Sequence, residues 1–400
     1  MEAKAQIKSK RVACDGNIAA AYGVMLCRPD VVSFLPITPQ HGMVTQMYQF
    51  HTQGLVDAEM VEAEGEQSAM SIVNAASACG GRTFTATAQA GLYFMWDAFK
   101  ATPNLRLPVV MAIVSREDCP PSIVVHSQQD IMSAKDQGWI IIFPETCQEV
   151  LDTIIMAYKL AEDTDILIPV IVSIDGFYLS HLTEIVEVPA QDDVDGFLAP
   201  LKQMNRFRLT PDPVSICGAG FVGRDLAQCR YEYCEAMENA KQKVAEIDKA
   251  FEKTFGRSYG GLIEEYRTED ADVILVTVGS VTGTARIAVD RKREEGIKAG
   301  LIKLRVLRPL PRERLAQALK GKKGVGVIDR NICFGCNSGG VLMDVKAVLY
   351  DLDTRPQVAN FIDGIGGLDI SVDHVATAID ITHQASLGEP VPEVNWLALE

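Results

Sequence analysis

The sequence predicts an α/β protein built on parallel sheets, and three observations predict it. Short apolar runs of strand length alternate with helix-length segments up to about residue 180. The alternation resumes after residue 270. No apolar run approaches the roughly 18 residues that a membrane-spanning helix needs.

In the first series, residues 31–35, 60–64, 83–87, 108–114, 139–143 and 169–174 read as strands. Most are rich in Val, Ile, Thr or Phe, which fit a pleated, half-buried surface. Residues 18–26, 67–79, 93–101 and 148–161 read as helices between them. After Ser180 the chain changes character. Residues 188–200 and 209–223 are rich in Pro, Gly and Asp and read as a linker wrapping a surface. Residues 224–255 read as one long charged helix. The second series has strands at 273–278, 299–305, 324–329 and 358–362, with helices at 282–295, 312–319 and 340–352. The expected organisation is a first domain at 1–190, a connector at 191–265, a second domain at 266–385 and a tail at 386–400.

Composition narrows the function. The 400 residues carry 38 Lys and Arg against 53 Asp and Glu, a formal net charge of −15. That balance argues against nucleic-acid or anionic-membrane binding, which need positive charge facing phosphate. The N-terminus has charge but no apolar stretch, so it reads as no signal peptide and a cytoplasmic location is expected. Ten scattered cysteines then read as reduced and mostly buried.

Three motifs invite a chemical reading. Residues 218–223, Gly-Ala-Gly-Phe-Val-Gly, match a dinucleotide fingerprint, but no second strand follows within about 30 residues, so a glycine-rich bend is expected. Cys333 and Cys336 form a single CxxC, short of the four ligands of a zinc or iron–sulfur site, and read as a buried thiol pair. The six histidines show no metalloprotease spacing, and neither a serine-hydrolase elbow nor a P-loop occurs. What remains are the loops at the C-terminal ends of the first strands, where an open parallel sheet places its ligand. Thr38 lies between Pro36 and Pro39 in the first, Glu66 opens a helix after the second, and Arg116 follows the strand 108–114. A Thr, a Glu and an Arg at neighbouring strand ends suit a small carboxylate; taken singly, Glu66 is a helix-start carboxylate and Arg116 a surface ion pair.

The same residues carry a family likeness. The segments Leu35-Pro36-Ile37-Thr38-Pro39, Glu66-Gln67-Ser68-Ala69, Arg82-Thr83-Phe84-Thr85-Ala86-Thr87, Ser115-Arg116 and Asp136-Gln137-Gly138-Trp139 follow in register. In the second half come Val278-Gly279-Ser280, Arg308-Pro309, Asp329-Arg330-Asn331 and Gly364-Ile365-Gly366-Gly367. In this order the chain resembles the alpha subunit of the 2-oxoacid:ferredoxin oxidoreductases over about residues 10–385.

The resemblance implies a pyrimidine-type thiamine diphosphate-binding parallel-sheet domain followed by a transketolase-C-terminal-like α/β domain. It implies oxidative decarboxylation of a 2-oxo acid, usually with transfer of the acyl group to coenzyme A. Glu66 would face the aminopyrimidine ring of thiamine diphosphate, with Pro36, Thr38 and Gln89 also at the cofactor. Thr38 and Arg116 would hold the substrate carboxylate. No metal site is implied on this chain. The diphosphate and Mg²⁺ would belong to a beta subunit, matching the absence here of a Gly-Asp-Gly with a later Asn. The [4Fe–4S] clusters would sit on partner subunits, the gamma and ferredoxin-like delta chains, with ferredoxin or another acceptor beyond them.

The chain departs from the family in four places. Two of them are the loop Leu35-Pro36-Ile37-Thr38-Pro39-Gln40-His41, where pyruvate-type members usually begin with Tyr and end in small serines, and residues 123–130, which lack the Trp that often precedes the acidic end. In the other two, Arg116 is followed by Glu117 and Asp118, and Cys333-Phe334-Gly335 stands where members often have Ser-Phe-Gly. Pyruvate, a larger 2-oxo acid such as phenylglyoxylate and an oxalate-type substrate stay open, as does a non-catalytic assembly role.

Overall fold

The computed structural model describes residues 8–121, 124–198, 208–212, 214 and 220–399. Its elements run β1 (Lys10–Cys14), α1 (Gly16–Leu26), β2 (Val31–Phe34), α2 (His41–Thr52), β3 (Glu59–Glu62), α3 (Glu66–Ala78), β4 (Thr83–Thr87), α4 (Gln89–Phe94) and α5 (Trp96–Asn104). Then come β5 (Val110–Ser115), α6 (Gln129–Ala134), β6 (Ile140–Ile142), α7 (Cys147–Ala161), β7 (Val170–Asp175), β8 (Glu184–Val188), α8 (Gln191–Phe197) and α9 (Gly223–Phe255). The second half has β9 (Ile263–Tyr266), β10 (Val273–Thr277), α10 (Val281–Glu294), β11 (Ala299–Leu304), β12 (Val306–Arg308) and α11 (Arg312–Leu319). It ends with β13 (Gly324–Asp329), α12 (Gly340–Tyr350), β14 (Gln357–Ile362), α13 (Val372–Ser386) and β15 (Asn395–Trp396).

The α/β class holds. One sheet has the strand order β12-β6-β7-β5-β4-β2-β3, and all its pairs are parallel except the antiparallel β12–β6 pair. The other runs β15-β14-β13-β10-β11-β9, parallel except for β9. β1 and β8 form a separate antiparallel ribbon. Parallel strands are covered on both faces, so β5 reads VMAIVS with all six residues buried. Val110, Ala112 and Val114 pack with α1 and α7, while Met111 and Ile113 join a core that continues onto Ile274, Val276 and Ile302 of the second sheet. One apolar layer therefore belongs to both sheets.

Three expectations fail for physical reasons. The single helix expected at 93–101 is two, α4 and α5, broken at Met95, whose φ of −87° and ψ of 7° leave the helical range. The single strand expected at 299–305 stops at Leu304, because Arg305 turns into the core, and Val306 starts a strand in the other sheet. The cysteines are not mostly buried: of the nine described, only Cys14, Cys27 and Cys147 are.

Candidate active site

The topology lines up β7, β5, β4, β2 and β3, and their C-terminal ends carry Asp175, Arg116, Gln89, Thr38 and Glu66 in the segments that follow. Parallel pairing thus gathers residues scattered over more than a hundred positions along one sheet edge.

Arg116 and Thr38 meet directly. The Arg116 Nη1 donates to the Thr38 carbonyl oxygen at 3.0 Å, and its Nη2 lies 3.6 Å from Cys119 Sγ. Its Nε is buried without a hydrogen-bond partner. The surface ion pair expected for an isolated Arg is not formed among the described residues. Glu117 and Asp118 turn away: Glu117 Oε1 accepts the Asp118 N–H at 2.8 Å, and Asp118 accepts the Tyr93 hydroxyl at 2.8 Å. The Arg116 fork therefore keeps donors for an anion. Its backbone is pinned from below, since the buried Asp130 accepts the Arg116 N–H at 3.0 Å and the Ile131 N–H at 2.7 Å. Burial pushes the Asp130 carboxyl well above its usual range. The sequence offered no signal for this role beyond an acidic residue at a helix start.

Glu66 is the first residue of α3 and is buried, though not sealed, at 7% exposure. It makes no side-chain hydrogen bond among the described residues. Gly91 faces it across the start of α4: a Cβ there would lie 2.6 Å from Glu66 Oε1 and 2.2 Å from Thr87 Oγ1. Only a glycine fits against this carboxylate. In the same helical turn Gln89 is buried, and its Oε1 lacks a partner. An open carboxyl and an unsatisfied amide oxygen fit a heterocycle bearing ring nitrogens and an amino group, such as the aminopyrimidine of thiamine diphosphate. Pro36 is exposed on the Thr38 loop and makes no hydrogen bond to the other candidates.

A second set of buried and part-buried polar residues, Ser280 and Arg330 of the family-like segments among them, was given no role by the sequence reading. Asp175 accepts from Gln128 Nε2 at 3.0 Å, Ser280 N at 2.8 Å, Ser280 Oγ at 2.6 Å and Arg330 Nη1 at 3.2 Å. Burial alone would raise the Asp175 pKa, but its cationic and hydrogen-bonding neighbours outweigh it and hold the carboxylate low. His126 Nε2 stands 3.6 Å from Asp175 Oδ1; burial, reinforced by Arg330, holds the His126 pKa down to about 3. Asp175, Ser280 and Arg330 lie at strand ends of both sheets, so the cluster joins the two halves beside the site. The strand-end positions were visible in the sequence; their convergence was not.

The tempting motifs supply none of the polar groups above. Gly218 and Ala219 lie outside the described residues, while Gly220 and Gly223 are exposed and α9 runs on to Phe255. The CxxC is a turn, Cys336 N–H donating to the Cys333 carbonyl at 3.0 Å, and Cys336 is exposed rather than buried. No cluster of three or more His, Cys, Asp or Glu able to hold a metal occurs among the described residues. No described helix is long and apolar enough to cross a membrane.

Comparisons with known proteins show the family. Residues 22–249 match the family profile "Pyruvate flavodoxin/ferredoxin oxidoreductase, thiamine diP-bdg", and residues 271–375 match "Pyruvate:ferredoxin oxidoreductase core domain II". The chain is 40% identical to NADH-dependent phenylglyoxylate dehydrogenase subunit alpha of Aromatoleum evansii, over 99% of this chain and 96% of that one. It is 39% identical to pyruvate synthase subunit PorA of Pyrococcus abyssi, over 97% and 98%. Among solved structures it superposes on 2-oxoglutarate:ferredoxin oxidoreductase from Magnetococcus marinus with a TM-score of 0.70 at 21% identity, covering 92% of this chain and 65% of that chain, a likeness of fold. A thiamine diphosphate-binding profile over residues 22–249 and alpha-subunit relatives matched nearly end to end place the chain in the 2-oxoacid:ferredoxin oxidoreductase family, among its alpha-type subunits.

Proposed function

We propose that the chain is the catalytic alpha-type subunit of a complex that oxidatively decarboxylates a 2-oxo acid with thiamine diphosphate. The observation that carries this reading is the open Glu66 carboxyl facing Gly91, beside an Arg116 fork without an acidic partner. An assembly subunit would have no reason to leave two such groups unsatisfied.

When bound, thiamine diphosphate supplies a nucleophilic carbon and an electron sink. Glu66 would hold a proton at a pyrimidine ring nitrogen, and Gln89 would accept a hydrogen bond from the cofactor's amino group. Arg116, oriented through Thr38, would take the substrate carboxylate with its remaining donors. Pro36 lines the same loop. The diphosphate and Mg²⁺ would rest on a beta subunit. Electrons would leave through [4Fe–4S] clusters on gamma and delta subunits toward ferredoxin or a similar acceptor, and coenzyme A would receive the acyl group. Pyruvate and phenylglyoxylate, the substrates in the relatives' names, are the first to assay.

The test is Glu66→Gln in the assembled complex, assayed with a panel of 2-oxo acids and a viologen dye. Turnover should fall about a hundredfold or more, the usual weight of a positioned acid–base group, with assembly intact. Wild-type turnover in the variant would sink the assignment.

A further inference from the structure

Two of the places where the sequence departs from its family, the acidic loop after Arg116 and the Cys333-Phe334-Gly335 turn, line one cavity. It measures 590 Å³ and lies between the start of α4, the acidic loop after Arg116, and the turns that follow β13 and β14. Gln89 and Cys119 form the wall nearest the reacting groups. Gln89 shares a helical turn with Gly91, which abuts Glu66, and Cys119 Sγ lies 3.6 Å from the Arg116 guanidinium. The cavity therefore opens beside both the proposed carboxylate anchor and the proposed cofactor face.

Its chemistry is lopsided. Pro120, Ile332, Phe334 and Ile365 give apolar wall, and Phe334 stands 81% exposed at the lip. Together with these neighbours the ring makes a continuous apolar face that a flat apolar group can cover. The charged lining residues are Glu117 and Asp118; among the described residues no Lys or Arg lines the cavity. The Tyr93 hydroxyl fixes Asp118 in this wall. A second carboxylate on the substrate would meet like charge and no counter-ion, whereas a methyl would leave the apolar wall uncovered.

We propose that this cavity receives the side chain of the 2-oxo acid and selects a flat, uncharged aryl group, with Phe334 as the specificity-determining residue. The inference rests on Arg116 as carboxylate anchor. The substrate class is then an aryl 2-oxo monocarboxylate rather than pyruvate or a dicarboxylic 2-oxo acid.

The test compares phenylglyoxylate, pyruvate and 2-oxoglutarate on the assembled complex, reading kcat/KM with a viologen dye. The wild type should prefer phenylglyoxylate and reject 2-oxoglutarate. Phe334→Ala, which removes an exposed ring and leaves the core alone, should cut the phenylglyoxylate-to-pyruvate ratio by about tenfold or more, the scale of an apolar pocket contact. Glu117→Lys should raise the relative rate with 2-oxoglutarate. A wild-type preference for pyruvate or 2-oxoglutarate overturns the proposal. So does a Phe334→Ala variant that slows all three equally, or that changes only the KM for coenzyme A. Failure of the wild-type complex to turn over any of the three overturns the proposal, and failure across the whole panel of 2-oxo acids overturns the parent reading as well. An Arg116→Ala variant separates the two: if it loses carboxylate affinity while Phe334→Ala stays unselective, the anchor stands and the aryl pocket falls.

Discussion

At the scale of single residues, the site is set by what is left unpaired. Arg116 points two donors at Thr38 and Cys119 and holds the rest in reserve. Arg116→Ala should raise the apparent KM for the 2-oxo acid about tenfold to a hundredfold, since a charge-assisted hydrogen bond is worth roughly 1.5–3 kcal/mol. Its kcat should change less, because in the proposed role the group binds the carboxylate and not the reacting carbon. Initial-rate kinetics check this, and an unchanged KM would remove Arg116 from the carboxylate site. Gly91 gives a sharper test, because nothing chemical is deleted. Gly91→Ala places a methyl 2.2 Å from Thr87 Oγ1 and 2.6 Å from Glu66 Oε1, distances at which one of them must move. Turnover should drop by at least about tenfold through a misplaced carboxyl, with the far-ultraviolet circular dichroism spectrum unchanged. Wild-type rates would show that the Glu66 position is not critical.

At the scale of elements, the termini of the strands matter more than their interiors. The loop 124–128 is tied to the ends of β7, β10 and β13 through Asp175, and His126 sits inside that knot uncharged. The unfolded chain takes a proton on this imidazole near pH 6.5, whereas the folded one refuses it until about pH 3. Folding between those values therefore expels a proton, and stability falls as the pH drops below 6.5. His126→Asn removes that proton from the balance. Urea unfolding at pH 7 and pH 5 should show a smaller loss in the variant, and equal losses would mean that His126 is charged in the native state. Helix α9 makes a different prediction. Its buried face begins at Ala236 and continues through Ala240, Val244, Ile247 and Phe251, while Gly223–Arg230 are exposed. Amide exchange should be faster over the first two turns than over 240–251. The length of α9 was plain from its charged periodicity, and the strands at 83–87 and 324–329 were plain from their composition. Other elements were hidden for identifiable reasons. The strand β12 has three residues and earns its place only by pairing with β6. Helix α2 carries polar residues between Met43, Val44, Met47 and Phe50, which blurs its apolar stripe. The Glu66, Thr38 and Arg116 positions followed from strand-end logic together with family likeness. Gly91 and Asp130 could not, because a glycine's reason is the atom opposite it, and a buried aspartate's is the backbone it holds.

At the scale of the molecule, the two sheets are fastened by charge as well as by shared apolar core. The chain leaves β11 of one sheet at Leu304 and enters β12 of the other at Val306, so Arg305 is the hinge pin between them. It is 1% exposed, and its Nε donates to Glu149 Oε1 of α7 at 2.7 Å. Its other nitrogens reach the Gly261 carbonyl at 3.0 Å and Thr153 Oγ1 at 3.1 Å. Lys303 Nζ takes the second Glu149 oxygen at 2.6 Å. Burial by itself would raise the Glu149 pKa, but Lys303 and Arg305 outweigh it and the carboxylate stays ionised below its usual range. The proposed site at Glu66 and Arg116 lies on one sheet and the Phe334 wall on segments of the other, so this fastening also holds the width of the cavity between them. Arg305→Met keeps the volume but leaves Glu149 with one cation and the Gly261 carbonyl without its donor. Breaking a buried pair from one side costs about 3–5 kcal/mol. Thermal unfolding should therefore begin several degrees lower, and the calorimetric transition should broaden as the sheets lose their shared cooperativity. The aryl-to-methyl substrate ratio should fall in the same variant below its unfolding range, because the cavity wall is no longer held at a fixed distance. If Arg305→Met melts like the wild type with an unchanged ratio, the shared apolar layer alone sets the geometry of the site.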